Sequence, residues 1–173
     1  EAMKSYEKAI ELDPNSAEIH NNFGSLLSEN LSRHDDAIIS FKKAISLDLY
    51  FYPAHLNLGH TFVALNQYES AVEAYKSTMT IKPDLGNILG NLLNAKMNCC
   101  NWEKYNSLLN IKNIKKEILD GKKVIAPFFL LSLIDDPALQ RKTIETNIYS
   151  FHPKNNDLPL TELYSKHSKI RIG

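Results

Sequence analysis

Three asparagines stand at spacings that could do chemistry: Asn22, Asn57 and Asn91 follow one another at two nearly equal intervals, the second shorter than the first by one. A side-chain amide carries both donor and acceptor, so a stacked row of amides could clamp the N–H and C=O groups of an extended polypeptide without reading its side chains. Ser25, His60 and Asn94 each stand three positions further on, in the next column of the same wall, and would be accessory contacts. A plainer reading competes, in which asparagine only solvates the inner surface of a repeat. On either reading such exposed side chains carry little packing, so their removal should barely change stability.

Other reactive residue types point to structure. Of the six histidines only His55 and His60 are close in sequence, and a spacing of five sends them to different parts of a helix surface. A metal needs three or four converging ligands, so no metal is expected, and His20 and His55 read as column residues packing on a second helix. Asp35-Asp36 and Asp135-Asp136 precede helical patterns, where capping and the helix dipole account for them, so no catalytic dyad and no catalytic residue is assigned. Lys112, Lys115, Lys116, Lys122 and Lys123 read as a solvated face. Cys99 and Cys100 are adjacent, a spacing unsuited to closing a loop or surrounding a metal, and read as reduced thiols of a cytoplasmic protein.

Twenty basic residues balance twenty acidic ones, so the positive field that drives nucleic-acid binding is missing. The longest apolar stretch, Val124 to Ile134, is interrupted by Pro127 and Ser132 and falls short of the roughly 20 residues of a membrane span. Neither nucleic acid nor membrane is an expected partner, and no cofactor is expected.

What must position the asparagines is a repeat. Ala2, Ala37 and Ala71 share one column, Tyr6, Phe41 and Tyr75 a second, and Ala9, Ala44 and Thr78 a third, with the same two intervals in every column. Ahead of them run His20, Phe23, Gly24 and Leu27, then His55, Leu58, Gly59 and Phe62, then Leu89, Leu92, Leu93 and Lys96. Gly24 and Gly59 lack side chains where two helices must approach closely, and the alanines do the same from the other side. Pro14 and Pro83 close two of the units. The extra residue of the longer interval is expected in a turn within the polar stretch Ser28 to Asp36, where added length is cheap.

These columns resemble the tetratricopeptide repeat, a pair of antiparallel helices. The fold class is therefore an all-α, right-handed tetratricopeptide-repeat solenoid followed by additional linker helices. Residues 1–98 would hold a second helix at 2–12, two full repeats at 17–48 and 52–81, and the start of a degenerate one at Gly86 to Asn98. Residues 99–160 would hold the remaining helix, capped by Asn101 and burying Trp102, and then linker helices. Ile114 and Ile118 give one of these a one-sided stripe, Phe128 to Ile134 reads as buried, and Pro137 opens a helix that runs to about Ser150. His152 to Pro159 reads as a loop, and the tail 161–173, ending Lys169-Ile170-Arg171-Ile172-Gly173, suits an incipient strand.

The segments Cys100-Asn101-Trp102-Glu103-Lys104-Tyr105, Ala126-Pro127-Phe128, Leu130-Leu131-Ser132-Leu133, Asp135-Asp136-Pro137-Ala138-Leu139-Gln140 and Lys169 to Gly173 resemble bacterial members of the SPINDLY/O-linked N-acetylglucosamine transferase family. Where the family usually has aspartate before the tryptophan, this chain has Asn101. The resemblance implies that residues 161–173 lead into a glycosyltransferase domain, that a UDP-sugar binds only in that missing domain, and that an asparagine ladder holds acceptor proteins in the concave groove. Two functions are thus in play: the substrate-recruiting region of a protein O-glycosyltransferase, or a free-standing adaptor for protein–protein interaction.

Overall fold

The computed structural model describes residues 1–101, 110–127, 130–131 and 134–151, and among these no strand occurs. Six helices lead: α1 (Ala2–Leu12), α2 (Ala17–Ser25), α3 (His34–Leu47), α4 (Tyr52–Ala64), α5 (Tyr68–Ile81) and α6 (Ile88–Asn98). Two more follow, α7 (Ile111–Leu119) and α8 (Pro137–Phe151). Helix α1, the pair α2 and α3, the pair α4 and α5, and helix α6 begin and end within two residues of the helical stretches 2–12, 17–48, 52–81 and 86–98. The expected burial of Trp102, the helix it begins, most of Phe128 to Ile134, the loop at 152–159 and the terminal strand lie outside the described residues.

The glycine and aromatic columns explain the helix pairs. A Cβ placed on Gly24 would meet the Phe41 ring at 2.6 Å, and one on Gly59 would meet the Tyr75 ring at 2.5 Å. Each aromatic thus lies against the bare backbone of its own repeat's first helix. Ala37, Ala44 and Ala71 are fully buried beside them. The same rings then join successive repeats: Phe41 clusters with Leu58 and Ala74, and Tyr75 with Ile88 and Leu92. Each large apolar side chain buried in this way stabilises the fold by about 1.5–3 kcal/mol. Burial also pushes the Tyr75 phenol well above its ordinary pKa.

The extra residue does not lengthen a turn. Arg33 N–H closes on Leu27 C=O across six residues, whereas the matching bonds, Gln67 N–H to Phe62 C=O and Asn101 N–H to Lys96 C=O, span five. The added residue is absorbed in a π-helical turn, Leu26–Asn30, that continues α2. Helical hydrogen bonding survives there, and the left-handed residue that ends each first helix keeps its place at Ser32, Asn66 and Cys100.

The turns before the first helices are pinned by histidine. The His20 Nε2–H donates to the Pro14 carbonyl at 3.0 Å, and one repeat on the His55 Nε2–H donates to the Leu49 carbonyl at 3.1 Å. These rings bind back to the preceding turn, a role that the expectation of packing on a second helix did not include. In the third unit Leu89 stands at the histidine position, and the turn is held instead by Asn87 N–H donating to Lys123 C=O at 2.6 Å. The chain segment that supplies this carbonyl runs along α6. Gly86 makes room for it, since a Cβ there would meet the Lys123 carbonyl oxygen at 3.1 Å, while Gly90 lies beside Ile125 at ordinary contact distance.

Beyond the repeats, Ile114, Ile118, Ile125, Leu130, Ile134 and Leu139 form a separate core against which Leu89 of α6 packs. The expected stripe on α7 is thereby buried. Asp136 caps α8, accepting from Leu139 N–H at 3.3 Å and from Lys115 Nζ at 3.4 Å. The Leu139 amide and then the lysine hold its carboxyl below the usual carboxylate range.

Candidate functional site

The first helices α2, α4 and α6 form one wall, joined by their side chains. Ser16 starts α2 by accepting from Ile19 N–H at 3.3 Å. Pro53 lies in the first turn of α4, and Asn87 enters α6 in a left-handed conformation, φ 67°. Asn22, Asn57 and Asn91 are half-buried on this wall, whereas His60 and Asn94 are exposed.

The structure brings the six residues singled out by spacing into one region, where they bond mainly across repeats. Asn57 Nδ2 donates to Asn21 Oδ1 at 3.0 Å and to Ser25 Oγ at 3.1 Å. Asn21 Nδ2 in turn donates to Asn22 Oδ1 at 3.3 Å. One repeat on, Asn91 Nδ2 donates to His60 Nε2 at 3.2 Å, which fixes the His60 proton on Nδ1. The two junctions are therefore made alike, by an asparagine reaching back to the accessory column of the repeat before. Asn94 Oδ1 accepts from Asn98 Nδ2 at 3.2 Å within α6.

Two further residues tie the wall together. Thr61 Oγ1 gives its proton to Asn57 C=O at 2.9 Å, so across the 3.3 Å gap to Ser28 it can only accept. Ser28, having spent its own proton, accepts from His34 Nδ1–H at 3.2 Å. Asn21, Ser28 and Thr61 were missed by spacing because their columns do not repeat: one repeat after Asn21 stands Leu56, and one repeat after Ser28 stands Val63. Their signal is burial, 6% exposure for Asn21 and 2% for Thr61, which the sequence alone does not print.

This bonding changes what each rung can offer. Asn57 has committed both amide protons and keeps Oδ1 to accept. Asn22 keeps its two Nδ2 protons, and Asn91 keeps one proton and Oδ1, among the described residues. Asn57 is the rung whose removal would leave the Oδ1 of buried Asn21 without that donor, which sets it apart from the expectation that the row is dispensable for stability.

His60 differs from its neighbours in electrostatics. Its ring meets Tyr75 edge-on, centroids 5.7 Å apart, and desolvation by the surrounding protein pushes its pKa below the ordinary 6.5 while the charge of Glu29 pulls it partly back. Among the described residues no three His, Cys, Asp or Glu side chains gather as a metal would require, and no helix is long and apolar enough to cross a membrane.

Families described as TPR repeat and tetratricopeptide repeat match residues 1–30, 17–50 and 54–89. The solenoid is built of tetratricopeptide repeats. A MamA crystal structure is similar at 26% identity with a TM-score of 0.60, covering 67% of this chain and 62% of that one. A second MamA structure, at 18% identity and TM-score 0.57, shares the fold over 87% of this chain and 85% of its own. Among curated proteins, the small glutamine-rich tetratricopeptide repeat-containing protein 2 of Mycosarcoma maydis is 38% identical over 82 residues, 47% of this chain and 23% of that protein. The protein O-mannosyl-transferase Tmtc3 of Drosophila melanogaster is 28% identical over 99 residues, 53% of this chain and 11% of its own length. The RNA polymerase-associated protein CTR9 of Caenorhabditis elegans is 26% identical over 193 residues of alignment, 99% of this chain and 16% of that protein. The chain thus spans less than a quarter of each of these curated relatives.

Proposed function

We propose that the wall of α2, α4 and α6 holds an extended stretch of another polypeptide through its main chain, with little dependence on sequence. The observation that carries this is the set of amide valences left open at repeat spacing: protons on Asn22, an acceptor on Asn57, and one of each on Asn91. A strand presents its N–H and C=O groups in alternation, which such a mixed row can answer. Helices stacked about 10 Å apart give a track of roughly 20 Å, matched by about six extended residues. Relatives named for their repeats or for association with RNA polymerase agree with an adaptor of this kind.

The test is fluorescence anisotropy with a labelled, neutral Ser/Thr/Ala peptide long enough to cover the track. Replacing Asn22 and Asn91 together by alanine should remove about 1–3 kcal/mol, a loss of roughly 5- to 160-fold. Equal affinity in a folded double variant would leave the row a solvated surface.

A second reading is that the bound polypeptide is the acceptor of a UDP-sugar-dependent protein glycosyltransferase of which this chain is the recruiting region. It is supported by the linker segments that resemble the SPINDLY/O-linked N-acetylglucosamine transferase family, and by the likeness to a protein named as an O-mannosyl-transferase. Sequencing the codons that follow Gly173 separates the two, because only the second requires a nucleotide-sugar domain there.

A further inference from the structure

Charge is distributed unevenly between the two helices of each repeat. The first helices, with the π-turn, contain no arginine and one lysine, Lys96, which is 3% exposed and bonded to Asn101 Oδ1 at 3.1 Å. Their acidic residues, Glu18 and Glu29, are both exposed and have no ion-pair partner among the described residues. The second helices α3 and α5 carry exposed lysines, Lys42, Lys43 and Lys76. From the described side chains of the first helices themselves, a ligand lying along them meets amides, hydroxyls and two carboxylates and no exposed lysine or arginine.

Position makes Glu29 the more telling of the two. It sits on the π-turn Leu26–Asn30, and π-turns inside helices often mark functional sites. The same turn borders the row, since Ser28 beside it lies 3.3 Å from Thr61 of α4 and Ser25 accepts from Asn57 at 3.1 Å, and the Glu29 charge acts on His60 one repeat away. Glu29 also shares its column with Ala64 and Asn98, one and two repeats on, so the charge is concentrated at the N-terminal part of the wall.

We propose that this wall is charge-selective: it takes extended segments bearing lysine or arginine, directed toward Glu29, and turns away acidic ones. The inference rests on the polypeptide-binding reading and adds a chemical class to it. A basic side chain projecting from the bound backbone finds Glu29 or Glu18, whereas an acidic one finds two like charges and no exposed cation among the described residues of these helices.

The experiment compares three labelled peptides on one Ser/Thr/Ala scaffold, carrying two lysines, no charge, or two glutamates, against the full chain and its Glu29→Gln and Glu18→Gln/Glu29→Gln variants. At neutral pH and low salt the order should be lysine, neutral, glutamate, with about a three- to tenfold spread between the extremes that narrows as salt rises. Glu29→Gln should remove the larger share of the spread. Equal binding of all three peptides overturns charge selection and leaves polypeptide binding standing. A spread that persists in the double variant overturns the assignment to these carboxylates. Failure of every peptide to bind sinks the reading of the wall and this inference with it.

Discussion

In the repeats the same contact is made twice, Phe41 on Gly24 and Tyr75 on Gly59, and the same histidine clip is made twice on the turns before α2 and α4. After residue 110 no contact among the described residues is periodic. There α7, α8 and the segment between them surround a core of their own, and a strap through Lys123 and Ile125 lies along α6. One region is held by a rule applied unit by unit, the other by a single set of particular contacts. A repeat array can thus be sealed by chain that does not repeat, provided the last unit exposes a smooth enough surface. Gly86 supplies it where Lys123 comes closest.

The sharpest way to break the comparison is to empty the non-repeating core. Ile118 is fully buried, and Ile118→Ala should cost about 2–5 kcal/mol. If the two regions are separately built, hydrogen exchange should rise first in α7 and α8 and last in α4 and α5. Uniform loss of protection would make them one cooperative unit.

Next in size is a contrast between glycines. Gly59→Ala forces a methyl into the buried Tyr75 ring and should destabilise by about 1–3 kcal/mol. At Gly90 the nearest atom to a new Cβ is Ile125 Cα at 3.4 Å, an ordinary contact, and the position is inside a helix. Gly90→Ala should therefore stabilise by up to about 1 kcal/mol. Urea melts of the two variants check this, and equal shifts would erase the distinction between helix-pair glycines and strap glycines.

A third effect concerns the wall. Asn57→Ala leaves Asn21 Oδ1 buried and unpaired and should cost about 1–3 kcal/mol. Asn91→Ala, whose bond is to the exposed His60, should change the melt far less. Matching losses for the two would show that the wall's bonding carries no fold energy at Asn57.

The smallest is a pH effect. Because the His60 pKa is lowered in the folded chain, its contribution to stability is fully present above the unfolded value near 6.5 and is lost as pH falls below it toward the folded value. Protonation also removes the acceptor that Asn91 Nδ2 uses. Melting temperatures measured from neutral to mildly acidic pH should fall more steeply for the wild type than for His60→Gln, and parallel curves would dismiss the effect.

How far the sequence reached follows the same division. Helices in the repeats were legible because glycine, alanine and aromatic columns recur at fixed intervals, and the Asp136–Pro137 cap was legible because its chemistry is local. The π-turn was placed in a loop, since counting residues shows that one is added but not whether a helix absorbs it. Pairings such as Asn57 with Asn21 depend on which column faces which across a junction, and no spacing within one repeat reveals that. The strap was invisible: Lys123 acts through its carbonyl, which every residue has.

The bonds along the wall also have an elastic meaning. Among the described residues α2 with its π-turn is tied to α4 by three side-chain hydrogen bonds, from Asn57 to Asn21 and Ser25 and between Ser28 and Thr61, whereas α4 is tied to α6 by one, between Asn91 and His60. Joints arranged in series share a load, and the softer joint takes most of the strain. For side-chain ties the lighter joint lies between α4 and α6, in the interval from Asn57 to Asn91. Counted in side-chain ties, the wall has one closely laced interval and one lightly laced one.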